Sequence, residues 1–133
     1  MSTLRLEIVT PERKVYEKDV NMVVARGVDG ELGVLPNHIP LVTPLKVAPV
    51  KVKIGNSSET IAVHGGFMEV RKDKVVILAD AAELGADIDV SRARLAKERA
   101  ERRLAQKQAE INAVRAEMAL QRAMARLEAV EKQ

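Results

Sequence analysis

Arg92, Arg99, Arg122 and Arg126 are the residues of this 133-residue chain whose type and spacing could do chemistry together. A guanidinium is a planar, permanently charged fork that meets a phosphate through two parallel hydrogen bonds. Arg92 and Arg99 are seven residues apart and share one face of a helix. Arg115, Arg122 and Arg126, at spacings of seven and four, share another. If the chain folds back near Gln108 to Glu110, Arg92 comes level with Arg126 and Arg99 with Arg122. Four guanidiniums across such a seam repel one another unless an anion lies between them, so removing one should relieve strain in the empty hairpin. A second reading needs no ligand. Asp87 or Asp89 caps a helix starting at Ile88 or Val90, Asp89 pairs with Arg92 one turn on, and the arginines simply face water. The charge pattern alone leaves both open.

The elements that must position these residues divide at one point. Residues 1–85 carry 11 Lys/Arg against 11 Asp/Glu, and residues 86–133 carry 11 against 8, so the whole net charge of +3 sits in the last third. Every Gly and Pro lies at or before Gly85. Before that point, Leu4, Leu6 and Ile8 alternate on one strand face, Val50, Val52 and Ile54 on another, and "KVVILAD" is nearly continuous. Gly27, Asp29-Gly30, Pro36-Asn37, Gly55-Asn56 and Gly65-Gly66 are read as turns between strands, a rhythm that predicts an antiparallel sandwich. From about Ile88 onward the composition changes to strong helix formers. Ala113, Ala116, Leu120, Ala123, Leu127 and Val130 form a narrow stripe at helical spacing, which calls for a close helical neighbour and a weak contact. One continuous helix of about 66 Å, at 1.5 Å per residue, and a hairpin of two helices both fit the periodicity. The expected fold is therefore an N-terminal antiparallel β-sandwich in residues 1–85 followed by helices in 86–133.

Composition excludes several classes. Zero cysteines remove disulfides, thiolate nucleophiles and Cys-ligated zinc. Tyr16 and Phe67 are the only aromatics, so base stacking has little to work with and the core must be aliphatic. No window approaches the 18 apolar residues of a membrane span, and no signal peptide is evident. His38 and His64 lack a second ligand nearby, which argues against a metal site; His64 is read as structural. "GVDGELG" has the glycines of a phosphate loop but no helix after it, and there is no Walker A loop and no base aimed at a γ-phosphate, so no catalysis is expected. A nucleic-acid module using the basic helices is the alternative, although Glu98, Glu101, Glu110, Glu117 and Glu128 interrupt the positive face.

The segments "GELGVLPNHIPLVTPL", "HGGFMEV", "VVILADAAE" and "DIDVSRA" together resemble the epsilon subunit family of the F-type ATP synthase, and the likeness runs essentially end to end. Asn37 stands where many members have Gly, a position that asks only for turn chemistry. The resemblance implies a sandwich of about ten strands and a C-terminal two-helix hairpin. It implies a non-catalytic rotor part of the central stalk that binds the gamma subunit and the c-ring and couples proton flow to ATP synthesis. It also implies a hairpin that rests on the sandwich or opens toward the α3β3 hexamer, where it inhibits ATP hydrolysis. The implied location is peripheral, on the cytoplasmic face of the bacterial plasma membrane, without insertion into it. The loop around Glu31 is expected to face the c-ring and His38 to contact gamma. Several members bind ATP on the folded hairpin through a pattern matched here by Ile88, Asp89, Arg92 and Ala93, with Glu83, Arg99, Arg122 and Arg126 in support. Any Mg ion would arrive with the ATP, held by phosphate and water.

Overall fold

A computed structural model describes residues 2–106 and 110–131. Eight strands come first: β1 (Leu4–Val9), β2 (Lys14–Val20), β3 (Met22–Gly27), β4 (Gly30–Val34), β5 (Leu41–Ile54), β6 (Ser57–Val70), β7 (Lys74–Ala79) and β8 (Ala82–Leu84). A single 3-10 turn, Gly85–Asp87, leads to α1 (Val90–Ala105) and α2 (Glu110–Glu131). The strand order is β2-β1-β7-β6-β5-β3-β4, with β8 on β6.

The count of eight, against about ten expected, has a physical origin in β5 and β6. Each runs for 14 residues, and they pair with each other from Leu41↔Val70 to Ile54↔Ser57. The two halves of β6 then take different partners, while β5 keeps β3 along both of its halves across a register shift. Ile61 to Val63 of β6 pair with β8, whereas Gly66 to Val70 pair with β7. Counting each half of these two 14-residue strands separately gives ten. The switch falls at Gly65 and Gly66, which are not the turn read from the sequence but lie inside β6 with φ of 79° and 124°. A Cβ on Gly66 would lie 2.1 Å from the Leu78 carbonyl oxygen, so only glycine lets β6 bend there. Pairing is antiparallel throughout except between β1 and β7, which run parallel, a second difference from expectation. Asn37 does sit in a turn, with φ of 68°, a left-handed conformation that Asn tolerates.

The alternation of β1 is realised: Leu4, Leu6 and Ile8 are buried and join Ile61, Met68 and Ile77 in one aliphatic core between the layers. Of the second alternating set, Val50 and Val52 are fully buried and Ile54 packs at the margin. The C-terminal segment is a hairpin, not one long helix, with α1 and α2 side by side; the fold-back around Gln108 lies outside the described residues. Helix α2 also packs on β5 and β6. That second contact accounts for a miss. Ala116 and Ala123 of the alanine stripe are buried as expected, but Ala125 and Ala129, off the stripe, are buried too. Ala129 meets Ala62 of β6, Ile88 and Ala93 in a small cluster separate from the sandwich core. Alanine against alanine brings backbones close and gains little, ~0.8 kcal/mol per methyl-sized group against about 1.5–3 kcal/mol for a buried leucine.

Candidate functional site

Helix α1 begins where the sequence has its best cap. Asp89 is the N-cap, its Oδ1 accepting from the Arg92 backbone N–H at 3.1 Å, and Asp87 lies in the preceding 3-10 turn. This fixes the phase of α1, so Arg92, Ala93, Ala96 and Arg99 present one face. Opposite them stands Arg126 of α2, and below lies Glu83 of β8, held by its pairing with Ala62. Together with Asp87, Ile88 and Asp89 these side chains line a cavity of about 510 Å³. That volume falls within the ~300–1,000 Å³ range of small-molecule sites.

Seven of the eight residues assigned to a nucleotide from the sequence thus line one cavity. Arg122 does not line it, although its charge is felt nearby at His64. Arg94, about 200° around the helix from Arg92, faces a different surface with Lys97, Glu98 and Glu101. Asp87, Ala96 and His64 were not assigned. Ala96 could have been found from its three-residue steps to Ala93 and Arg99; His64 could not, because only the β6/β8 register brings it beside Glu83.

The electrostatics differ from four bare guanidiniums facing one another. Arg126 Nε donates to Glu83 Oε1 at 2.5 Å, and His64 Nε2 meets the same oxygen at 3.2 Å. Burial pulls the Glu83 carboxyl upward, but the hydrogen bond and charge of Arg126, with His64, outweigh it, so Glu83 titrates below the usual carboxylate range. Burial pushes His64 down, the Arg126 charge adds to this, and the Glu83 hydrogen bond only partly opposes them. The ring is therefore neutral near pH 7, and its Nδ1 is buried without a partner. Arg92, Arg99 and Arg122 make no ion pair among the described residues. For Arg126 the expected relief of repulsion is opposed by its pairing with Glu83, which its removal would also take away. A further pair, Arg26 of β3 with Glu128 of α2 at 3.2 Å, ties the hairpin to the sandwich.

The other two assigned residues lie away from this cavity. Glu31, exposed on β4, borders a smaller cleft with Asp29, Leu41 and Thr43. His38 sits in the loop after β4, its Nδ1 2.7 Å from the Ile39 carbonyl oxygen, beside exposed Leu35 and Ile39. No group of His, Cys, Asp or Glu among the described residues is arranged to hold a metal. No described helix is long and apolar enough to cross a membrane.

Comparison with known proteins agrees along the whole chain. Residues 3–85 match the family model "ATP synthase, Delta/Epsilon chain, beta-sandwich domain", and residues 86–131 match its "long alpha-helix domain". The ATP synthase epsilon chain of Halalkalibacterium halodurans is 59% identical over 129 residues, covering 96% of this chain and 97% of that one. That of Desulforamulus reducens is 53% identical over 129 residues, covering 97% and 98%. A chain in the Euglena gracilis mitochondrial ATP synthase, in a cryo-EM structure of OSCP/F1/c-ring in rotational state 1, superposes with a TM-score of 0.84 at 25% identity. It covers 98% of this chain and 82% of that chain. The chain belongs to the epsilon-subunit family of the F-type ATP synthase.

Proposed function

We propose that the chain is a non-catalytic component of the rotor, seated in the central stalk, whose sandwich binds partners and whose hairpin reports on ATP. In this division residues 1–85 hold gamma and the c-ring, and residues 86–133 form the regulatory element. The sandwich has a surface suited to a partner. Leu35, Ile39 and Val42 are exposed around His38, and the cross-strand neighbours Phe67 and Leu78 are exposed as well. Apolar groups left in water over adjoining strands mark a protein interface. Gamma is the partner proposed for this face, and the c-ring for the turn that carries Glu31. The implied setting is peripheral, at the cytoplasmic face of the membrane that holds the c-ring. The nucleic-acid alternative finds no support, since relatives and structural neighbours are ATP synthase chains.

The single observation that carries the regulatory reading is the cavity between α1, α2 and β8, with Arg92 and Arg99 on its wall and without ion-pair partners among the described residues. A polyphosphate supplies the anion they lack, and the cavity exists only while the hairpin is docked. ATP bound there stabilises the docked state by mass action. A Mg ion would come with the nucleotide, held by phosphate and water. The alanine seam makes release inexpensive, as a reversible brake on α3β3 requires. The test is truncation after residue 85 in the assembled enzyme: synthesis should stay coupled while ATP hydrolysis rises. Unchanged hydrolysis would refute the braking role, and loss of assembly would refute the division of labour.

A further inference from the structure

We propose that His64 is a positioning residue of this nucleotide site: its Nε2–H holds the Glu83 carboxylate so that the second oxygen stays available to hydrogen-bond donors of the nucleoside. The inference rests on the nucleotide reading of the cavity given above. His64 lies on β6 just past the residues that pair with β8, and its backbone N–H donates to the Ala81 carbonyl oxygen at 2.9 Å. Its side chain is only 3% exposed, so it reaches the cavity through Glu83 rather than directly. The Glu83 carboxylate is an acceptor, so the proton of the neutral ring belongs on Nε2.

Two donors, His64 Nε2 and Arg126 Nε, converge on Oε1 from different elements. One donor would leave the carboxylate free to pivot; two fix its plane, and Oε2 remains as the acceptor on a residue that lines the cavity. The phosphates of a nucleoside triphosphate only accept and would be repelled by Glu83. Its donors are the exocyclic amino group and the ribose hydroxyls. Glu83 therefore belongs at the nucleoside end, with Arg92 and Arg99 at the phosphate end. The partnerless Nδ1 supports the same view. A ring kept for packing would have both nitrogens satisfied or be apolar, whereas a ring kept for its Nε2 hydrogen bond can tolerate an orphan on the far side. A neutral donor also steadies the carboxylate without adding a cation beside Arg126 and Arg122.

Calorimetric titration of the full chain with ATP tests this in four variants. His64→Leu should bind about tenfold more weakly, while His64→Gln, whose amide nitrogen can donate from a similar position, should stay within about threefold of the parent. In a Glu83→Gln background, His64→Leu should add less than about twofold, because the group it positions is already altered. Equal losses in both backgrounds, or His64→Gln as weak as His64→Leu, would mean that the ring supports the fold instead, and the proposal would fall. NMR titration of the imidazole without nucleotide supplies a readout that does not depend on ATP. The Glu83→Gln change should lower the pH at which His64 protonates, and an unmoved titration would overturn the pairing. Failure of the parent chain to bind ATP at all, with the NMR shift intact, would instead sink the nucleotide site, and the positioning role with it.

Discussion

Replacing Arg126 by alanine in the nucleotide-free chain separates two pictures of the arginine cluster by sign. Four mutually repelling guanidiniums would make the change stabilising. The observed pairing makes it destabilising, because Arg126 donates to Glu83 at 2.5 Å between α2 and β8. A fully buried charge-assisted hydrogen bond contributes about 1.5–3 kcal/mol, and a solvated ion pair about 0–1 kcal/mol. With the Arg126 and Glu83 side chains 30% and 36% exposed, the discounted value is about 1–2 kcal/mol. For a cooperative unit of this size that corresponds to a fall in Tm of roughly 4–8 °C. Thermal melting followed by helical circular dichroism would read it, with Glu83→Gln and the double variant completing a cycle. The coupling between the two positions should be about 1 kcal/mol or more. An Arg126→Ala chain that melts higher than the parent without ATP, or zero coupling to Glu83, would refute the pairing and restore the repulsion picture.

Acidification should weaken the docked chain: His64 titrates below its usual value when folded, so its contribution is complete above about pH 6.5 and is lost as pH falls below that. Glu83, also lowered, adds a loss of the same sign below about pH 4.5, and His64→Gln should flatten only the upper part of the profile of Tm against pH. Gly66→Ala should cost about 3 kcal/mol or more in denaturant unfolding, since its Cβ would meet the Leu78 carbonyl oxygen at 2.1 Å and φ is 124°; a loss under about 1 kcal/mol would show that β6 does not need its bend.

How much of this was legible in the sequence depends on the range of the interaction concerned. The alternation of Leu4, Leu6 and Ile8, the cap at Asp89 and the change of composition after Gly85 are local signals, and each has its expected structural counterpart. Gly65-Gly66 has the composition of a turn, yet it lies in a strand, because the pressure for glycine comes from the Leu78 backbone of β7 rather than from the neighbours in sequence. The stripe through Ala116 and Ala123 was visible as a seam to one helix. Burial of Ala125 and Ala129 was not, since it needs the knowledge that α2 also lies on β5 and β6. The same limit hid His64, whose partner Glu83 is 19 residues away and reaches it only through strand register. Arg92 and Arg99 were placed on one helical face by spacing alone, but the neutralisation of Arg126 by Glu83 is a tertiary fact that charge counting could not supply.

Calorimetric titration of the isolated chain with ATP, comparing Arg92→Ala with Arg94→Ala, bears most directly on the central claim that the docked hairpin holds a nucleotide. Arg92 lines the cavity and Arg94 faces a separate surface, although they are two residues apart and carry the same charge. The parent chain should bind ATP at one site, Arg92→Ala should lose about ten- to hundredfold in affinity, equivalent to about 1.5–3 kcal/mol, and Arg94→Ala should change little. Equal losses from the two variants would reveal diffuse attraction to a basic helix, and an absence of saturable binding in the parent chain would contradict the nucleotide site altogether.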